Sequence, residues 1–342
     1  MTNNNLHEAK KAKNDEFYTQ LSDIENELRY YRNHFNGKVV YCNCDDAFES
    51  NFFKYFVLNF NKLGLKKLIT TCYSESSTSD NNNVFKSITN NSLSHKAYKA
   101  EIVTVYDKTG NGKIDMDDII ELFKSGENHL SELEGDGDFR SEECVELLKE
   151  SDIVVTNPPF SLFREYVAQL IEYDKKFLII GNMNAITYKE VFPLIKENKL
   201  WIGPSITSGD RKFNVPNSYP LNAANCGTDA DGKKFIRVKG VRWFTNLDHR
   251  KRHEELILVR KYSEDEYPKY DNYNAINVNK VCDIPCDYNG VMGVPITFLD
   301  KYNPEQFQII GQMVNTKVDN FNFGYPFING VRKYARIIIK VI

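Results

Sequence analysis

Apolar positions follow two periodicities that alternate along the first two thirds of the chain. Short continuous apolar runs are typical of buried strands, whereas apolar residues three or four positions apart are typical of amphipathic helices. Turn residues, capping residues and glycines mark the boundaries between the two patterns. The runs predict strands at 37–46, 65–73, 100–107, 153–156, 176–182 and 199–203. The helical pattern predicts helices at 22–35, 48–64, 115–125, 141–149, 162–172 and 188–198.

Strands that alternate with helices in this way predict an α/β fold with a mostly parallel, doubly wound sheet and helices on both faces. The alternation ends near Pro204. Beyond it the chain is loop-rich, basic and aromatic, and segments 233–247 and 254–262 predict antiparallel strands that complete the sheet. We therefore expect a core at 1–203 and a second region at 204–342.

Composition and local charge narrow the class of protein. The 342 residues, 41% of them hydrophobic, suffice for one large or two medium domains. The net charge of -3 hides an uneven distribution. Segment 101–160 has sixteen acidic against five basic residues, whereas 201–260 has eleven basic against six acidic residues. A polyanionic partner is thus expected to meet the second of these segments.

Cysteine usage and hydropathy indicate a compartment. The seven cysteines are scattered, no signal peptide precedes the first predicted helix, and no apolar run approaches the length that spans a bilayer. We expect a cytoplasmic protein without a membrane partner. The pairs Cys282/Cys286 and His249/His253 could in principle supply four zinc ligands. No C-x2-C spacing appears, however, and the two pairs lie in unlike contexts, so no metal is expected.

The predicted strand 153–156 ends in Asn157-Pro158-Pro159-Phe160. Prolines cannot continue a sheet, and the residue before a proline is held extended. The Asn157 side-chain oxygen and the Pro158 carbonyl oxygen can accept both hydrogens of one exocyclic amine, while Phe160 stacks on the ring that carries it. Because the prolines fix these acceptors in advance, the turn suits electrostatic preorganisation.

The chain resembles the EcoRI-type adenine-specific DNA methyltransferase family. The resemblance lies in segments 135–167, 175–203, 240–252 and 293–311, and it extends from about Asn14 to the C-terminus. It implies methyl transfer from S-adenosyl-L-methionine to N6 of a flipped adenine in duplex DNA. It also implies that Asn157, Pro158 and Phe160 position the base and that the enzyme acts as a monomer. A cognate restriction endonuclease that acts on the same site without a stable complex is a further candidate partner.

Cofactor residues follow from the same resemblance. The segment 14–20 resembles the motif that closes over the methionine moiety, which makes Tyr18 and Thr19 candidates. The segment 135–141 resembles the one in which an acid meets the cofactor adenine and an aromatic packs its ring, roles that Asp138 and Phe139 suit. The loop 41–51 departs from the family because it has no glycine. Its carboxylates, Asp45 and Asp46, are the remaining candidates.

Candidate DNA contacts come from the basic segment. Arg211, Lys212, Arg250, Lys251 and Arg252 are expected to bind phosphates, which gives affinity that depends on salt. A solvated helix face explains the last three equally well.

Two other functions remain open at this stage. The Asn-Pro-Pro-aromatic turn also serves methyltransferases that act on RNA or on a protein glutamine. The segment 107–118 matches much of a calcium loop, so a calcium-responsive binding protein with an inactive core is the third hypothesis. Its entry segment has the pattern of a strand, however, and an Asp/Gly turn from strand to helix explains the same residues.

Overall fold

A computed structural model describes residues 17–44, 47, 49–72, 97–215, 219, 221, 225–315 and 320–342. Its α-helices are, in chain order, α1 (Leu21–Leu28), α2 (Asn51–Leu58), α3 (Phe60–Leu63), α4 (Met116–Lys124), α5 (Glu142–Glu150), α6 (Phe163–Glu172) and α7 (Phe192–Lys196). Its first nine strands are β1 (Tyr18–Thr19), β2 (Val39–Cys42), β3 (Lys67–Thr71), β4 (Tyr98–Ile102), β5 (His129–Glu132), β6 (Ile153–Thr156), β7 (Lys176–Asn182), β8 (Trp201–Ile202) and β9 (Asp210–Asn214). The others are β10 (Cys226–Thr228), β11 (Lys234–Lys239), β12 (Val241–Thr245), β13 (Ile276–Asn277), β14 (Met292–Pro295), β15 (Phe307–Met313), β16 (Phe327–Ile328), β17 (Val331–Arg332) and β18 (Arg336–Val341).

The chain divides into two compact units. The first contains residues 1–182 and 208–247, and the second contains 183–207 and 248–342. Segment 208–247 thus belongs to the same unit as the predicted core strands.

A large mixed sheet forms the centre of the first unit. Seven of its strands lie there in the order β5-β4-β3-β2-β6-β7-β12. The four central strands β3, β2, β6 and β7 are parallel, and β4, β5 and β12 are antiparallel to their neighbours. The α/β class is therefore confirmed. Of the predicted strand 233–247, only β12 joins this sheet as an antiparallel strand, whereas β11 lies in a separate, smaller sheet. All residues of β2 and β6 are buried, as expected for strands covered on both faces.

Several predicted elements are shorter in the structure. The predicted strand 100–107 ends at Ile102, because the Asn128 side-chain oxygen accepts the backbone N–H groups of Val103 and Thr104. The predicted helix 188–198 is α-helical only at Phe192–Lys196.

A smaller sheet of the first unit brings distant segments together. Its order is β1-β9-β11-β10, all neighbours being antiparallel. The two residues of β1 pair with Phe213 and Asn214 of β9, almost two hundred positions later. This pairing places the N-terminal segment beside the basic segment.

The second unit contains a four-stranded sheet in the order β13-β14-β18-β15 and a two-stranded hairpin of β16 and β17. Strands β14, β18 and β15 are antiparallel neighbours, and three consecutive isoleucines of β18 are fully buried. The predicted strand at 254–262 is wrong. Apart from a single bridge at Arg260, this segment has no strand structure, and Ile257 and Val259 are 84% and 74% exposed.

Candidate active site

The turn after β6 has the geometry that its prolines predict. Strand β6 ends at Thr156, and Asn157 and Pro158 are buried directly beyond it. The Pro159 carbonyl accepts the Leu162 N–H at 2.9 Å, which closes a short 3₁₀ turn that leads into α6. The turn therefore holds Asn157 at the carboxyl end of a central parallel strand.

The Asn157 amide is oriented by the N-terminal segment. Its Nδ2 donates to the Phe17 carbonyl oxygen at 2.6 Å, so its Oδ1 faces the other way. Asn157 is only 7% exposed, and Oδ1 has no hydrogen-bond partner among the residues that the structure describes. A buried acceptor without a donor is costly. Such a group is explained if a ligand with an N–H donor binds there.

Aromatic rings surround the turn. Phe160 contacts Phe17 edge-on, with ring centroids 5.8 Å apart, and meets Phe213 perpendicularly at 6.3 Å. Phe17 also contacts Phe213 at 6.0 Å and Tyr219 at 6.3 Å. Sequence reasoning singled out Phe160 alone. The other three rings were missed because only the pairing of β1 with β9 brings them to the turn.

Thr19 of β1 has the second buried polar atom of this region. It is 3% exposed, and its Oγ1 has no hydrogen-bond partner within the described part of the chain. Its carbonyl accepts the Asn51 Nδ2 at 2.7 Å, which fixes β1 against the start of α2. Tyr18, the other candidate of this motif, pairs with Asn214 of β9.

The segment after β5 folds into a compact turn around Phe139. This ring is buried and packs edge-on against Tyr166, with centroids 5.0 Å apart. Arg140 binds the Asp138 carboxylate through two nitrogens, at 2.6 and 2.9 Å, and this pairing raises the pKa of the guanidinium. Asp138 and Phe139 are thus adjacent, but Asp138 is held by an arginine rather than open.

Gln169 of α6 is a candidate that sequence reasoning missed. Its Nε2 donates to the Phe139 carbonyl at 3.1 Å. Its Oε1 is buried and has no hydrogen-bond partner among the described residues. No sequence signal distinguishes one polar residue in the middle of an amphipathic helix, so only the structure identifies it.

The glycine-free loop after β2 begins with a turn of the kind that glycine usually makes. Cys44 has φ +61°, in the left-handed region. Before it, Asn43 is held by Thr156, whose hydroxyl donates to its carbonyl, and by the Tyr166 hydroxyl, which donates to its Oδ1. Asp45 and Asp46 lie outside the described residues, so their predicted role is untested.

The basic candidates of the first unit have partners within the protein. Lys212 Nζ lies 2.7 Å from an Asp229 carboxylate oxygen, and Arg211 Nε lies 3.7 Å from Asp23. Both lie in β9, the strand that also carries Phe213. Their predicted phosphate contacts remain predictions.

In the second unit, Arg250, Lys251 and Arg252 form a 3₁₀ turn and differ in exposure. Arg250 and Lys251 are exposed. The Arg252 side chain is 11% exposed, lies 4.0 Å above the Trp201 ring and donates to Asn198 at 2.8 Å. Arg252 therefore has a structural role whatever the first two bind.

Because His249, which precedes this turn, is buried, we expect the stability of the protein to fall in acid. Burial lowers its pKa to about 4, so the unfolded chain binds the proton more readily than the folded one. Stability is therefore present above the ordinary histidine pKa and is lost as pH falls from about 6.5 to 4. Urea unfolding should show that His249 lowers the free energy of unfolding by about 2 kcal/mol when the pH falls from 7 to 5.

The control for this prediction is His249→Gln, which cannot titrate. The pKa of His253 is raised by hydrogen bonds to Asp248 and Glu305, so this residue adds stability as the pH falls, and it does so in both proteins. The difference between the two proteins thus isolates His249. Equal losses on acidification would contradict its buried neutral state.

In the segment 107–118, carboxylate groups accept hydrogen bonds from backbone N–H groups of the same segment. The Asp107 carboxylate accepts the N–H groups of Gly110, Asn111 and Gly112. The Asp118 carboxylate accepts those of Thr109 and Asp115 and completes a capping box for α4. An Asp/Gly turn before a capped helix therefore accounts for these residues without calcium.

The chain matches known proteins over nearly its whole length. The family model of the adenine-specific methyltransferase EcoRI matches residues 5–341. The type II methyltransferase M.EcoRI of Escherichia coli is 55% identical over 341 residues, which are 99% of this chain and 97% of that protein. The type II methyltransferase M.MpnI of Mycoplasma pneumoniae is 38% identical over 348 residues, covering 97% and 96%.

A third similar protein is the type II methyltransferase M.MgeORF184P of Mycoplasma genitalium, 38% identical over 350 residues, with 97% of each chain covered. No solved structure matches the chain significantly. Among the described residues, no helix is long and apolar enough to cross a membrane. The match over nearly the whole length settles the family: this chain belongs to the EcoRI family of adenine-specific methyltransferases.

Proposed function

We propose that the protein is a site-specific DNA methyltransferase that methylates N6 of an adenine flipped out of duplex DNA. The observation that carries this proposal is the buried Asn157 Oδ1, an acceptor without a donor among the described residues. An adenine N6 amine supplies the missing donor. The base must leave the helix to reach a buried group, as in other enzymes that modify bases.

The residues of the turn have separate tasks in this reaction. Asn157 Oδ1 and the Pro158 carbonyl accept the two N6 hydrogens, which draws the nitrogen towards tetrahedral geometry and frees its lone pair. Pro158 and Pro159 hold these acceptors in place before the base arrives, so little reorganisation is needed. Phe160 stacks on the base, and its contacts with Phe17 and Phe213 support the ring.

The methyl donor proposed is S-adenosyl-L-methionine, which supplies an electrophilic methyl group when it is bound. The described residues fit it, since Thr19 Oγ1 and Gln169 Oε1 are buried polar atoms without partners among them. We assign Tyr18 and Thr19 to its methionine moiety, and Phe139 with Gln169 to its adenine. Asp138, Asp45 and Asp46 are further candidates.

The Thr19 assignment predicts opposite changes in stability and affinity. Thr19→Val keeps the shape but removes a buried hydroxyl that has no partner among the described residues. We expect unchanged or slightly higher stability in urea, because an unpaired buried polar group is costly. Calorimetry should show S-adenosylmethionine binding weakened by about 3- to 10-fold, the worth of one hydrogen bond. Unchanged affinity would remove Thr19 from the cofactor site.

The remaining parts of the proposal rest on the fold and on the family. The order and direction of the central strands support a Rossmann-like sheet. We also propose a cofactor-binding and catalytic core at 1–203, with the remaining core strands and the target-recognition region at 204–342. The basic residues Arg211, Lys212, Arg250 and Lys251 are proposed to contact phosphates, with Arg252 supporting its neighbours. The curated relatives are named type II methyltransferases. We therefore propose a restriction-modification system in the cytoplasm, a monomeric enzyme, and a cognate endonuclease that does not bind it stably.

A comparison of three substrates tests which class of molecule accepts the methyl group. The purified protein is given labelled S-adenosylmethionine with plasmid DNA, with RNA of the same sequence, or with a glutamine-containing peptide. We expect label in duplex DNA alone. Label in RNA or peptide but not in DNA would overturn the proposal in favour of the other enzymes that use this turn.

A further inference from the structure

A two-residue turn connects β16 and β17 into a hairpin. Ile328 pairs with Val331, and Asn329 and Gly330 form the two-residue connection. Both have positive φ, +50° and +73°. This is the conformation of a type I′ turn, which suits a hairpin and favours Asn-Gly.

A second segment, Asp271–Asn272, holds this hairpin in place. The Asp271 carboxylate accepts the N–H groups of Asn329 at 2.9 Å and Gly330 at 2.8 Å. The Asn272 Oδ1 accepts the Phe327 N–H at 3.3 Å, and its Nδ2 donates to the Tyr325 carbonyl at 2.9 Å. A two-stranded hairpin is marginally stable alone. These side chains therefore order the hairpin before any partner binds.

The ordered hairpin presents apolar and cationic side chains to solvent. Val331 is 57% exposed and Tyr334 is 89% exposed, although burial of such side chains is normally favourable. Arg332 is exposed, and its guanidinium lies 4.4 Å above the Tyr325 ring, which limits its freedom.

The charge of this surface is positive. Segment 320–342 contains no Asp or Glu and has four Lys or Arg residues. Among the described residues, the Asp271 carboxylate contacts the turn, and each of its oxygens is bound by a backbone N–H group. Lys333 follows Arg332 directly, so two cations stand together between Val331 and Tyr334. A polyanion with an accessible apolar surface fits this combination.

We propose that this hairpin is a contact surface for duplex DNA. Arg332 and Lys333 bind backbone phosphates, while Val331 and Tyr334 pack against sugars and base edges. A two-stranded ribbon has the width that the major groove admits. The inference rests on the proposed function and adds to it a second, preordered DNA contact in the C-terminal segment.

The test compares Arg332→Ala/Lys333→Ala with Lys340→Ala, which removes an exposed cation from β18 in the same unit. Binding of a fluorescent duplex of arbitrary sequence is measured over a range of salt concentrations. We expect the double variant to lower the slope of log affinity against log salt by about 2, near 0.9 for each lost phosphate contact. Lys340→Ala should keep the wild-type slope.

The outcomes separate the two proposals. If the wild type binds and methylates DNA but the double variant keeps the slope and affinity of Lys340→Ala, the hairpin does not contact DNA, whereas the proposed function stands. If the wild type neither binds nor methylates duplex DNA, the proposed function fails and the inference fails with it. Circular dichroism of each variant checks that the fold is intact.

Discussion

Asn157→Ala is expected to lower kcat by about 100- to 1,000-fold, the effect of removing one preorganised electrostatic contact from a transition state. The reason is that Oδ1 accepts an N6 hydrogen whose interaction strengthens as the nitrogen is methylated. DNA affinity should change little, because phosphate contacts dominate binding. Single-turnover methylation with saturating DNA measures the loss directly.

The control for this variant is Asn157→Asp. It keeps an acceptor near the position of Oδ1, but it replaces the N–H donor that binds the Phe17 carbonyl. We expect activity between those of the wild type and the alanine variant. An alanine variant within about threefold of wild-type kcat would mean that Oδ1 has no part in the transition state.

Gly137→Ala is expected to cause a large loss of stability. Gly137 has φ +81°, and a Cβ atom there would lie 2.2 Å from the Cys72 carbonyl oxygen. Left-handed backbone costs a residue with a Cβ about 1–2 kcal/mol, and overpacking costs about 1–3 kcal/mol more. Urea unfolding should therefore show a free energy of unfolding lower by about 2–5 kcal/mol. Binding of S-adenosylmethionine should weaken too, since Asp138 and Phe139 follow directly.

Gly135→Ala, two residues earlier, is the matched control. A Cβ atom there meets nothing within 4 Å, and Gly135 is not among the glycines with positive φ. It should leave stability within about 0.5 kcal/mol of the wild type, as surface substitutions usually do. Equal losses in the two variants would contradict the close approach of Gly137 to Cys72.

Local signals in the sequence predicted the parts of the site that lie within one segment. A continuous apolar run followed by two prolines identified β6 and the turn, because prolines end a sheet wherever they occur. The same holds for α4 and the Asp/Gly turn that precedes it, since both lie within one short segment.

Contacts between distant segments could not be predicted in this way. The orientation of Asn157 depends on the Phe17 carbonyl, and Phe213 supplies the ring that meets Phe160 perpendicularly. Both contacts follow from the pairing of β1 with β9. Strand β1 has only two residues, which is too short to give a recognisable pattern in the sequence. A register between segments so far apart leaves no periodicity in either of them.

The wrong strand at 254–262 has a related cause. Its β-branched residues favour extended backbone, but a strand also needs a neighbouring strand. Here the Gln306 side chain replaces that neighbour: its Oε1 accepts the Leu256 N–H and its Nε2 donates to the Leu256 carbonyl, each at 2.8 Å. Propensity alone does not reveal whether the partner is a strand or one amide.

The measurement that tests the central claim most directly is single-molecule sequencing of plasmid DNA treated with the purified protein and S-adenosylmethionine, beside the Asn157→Ala protein. We expect N6-methyladenine at one short recurring sequence, absent or strongly reduced with the variant. Wild-type protein that binds S-adenosylmethionine but leaves every adenine unmodified would contradict the proposed function.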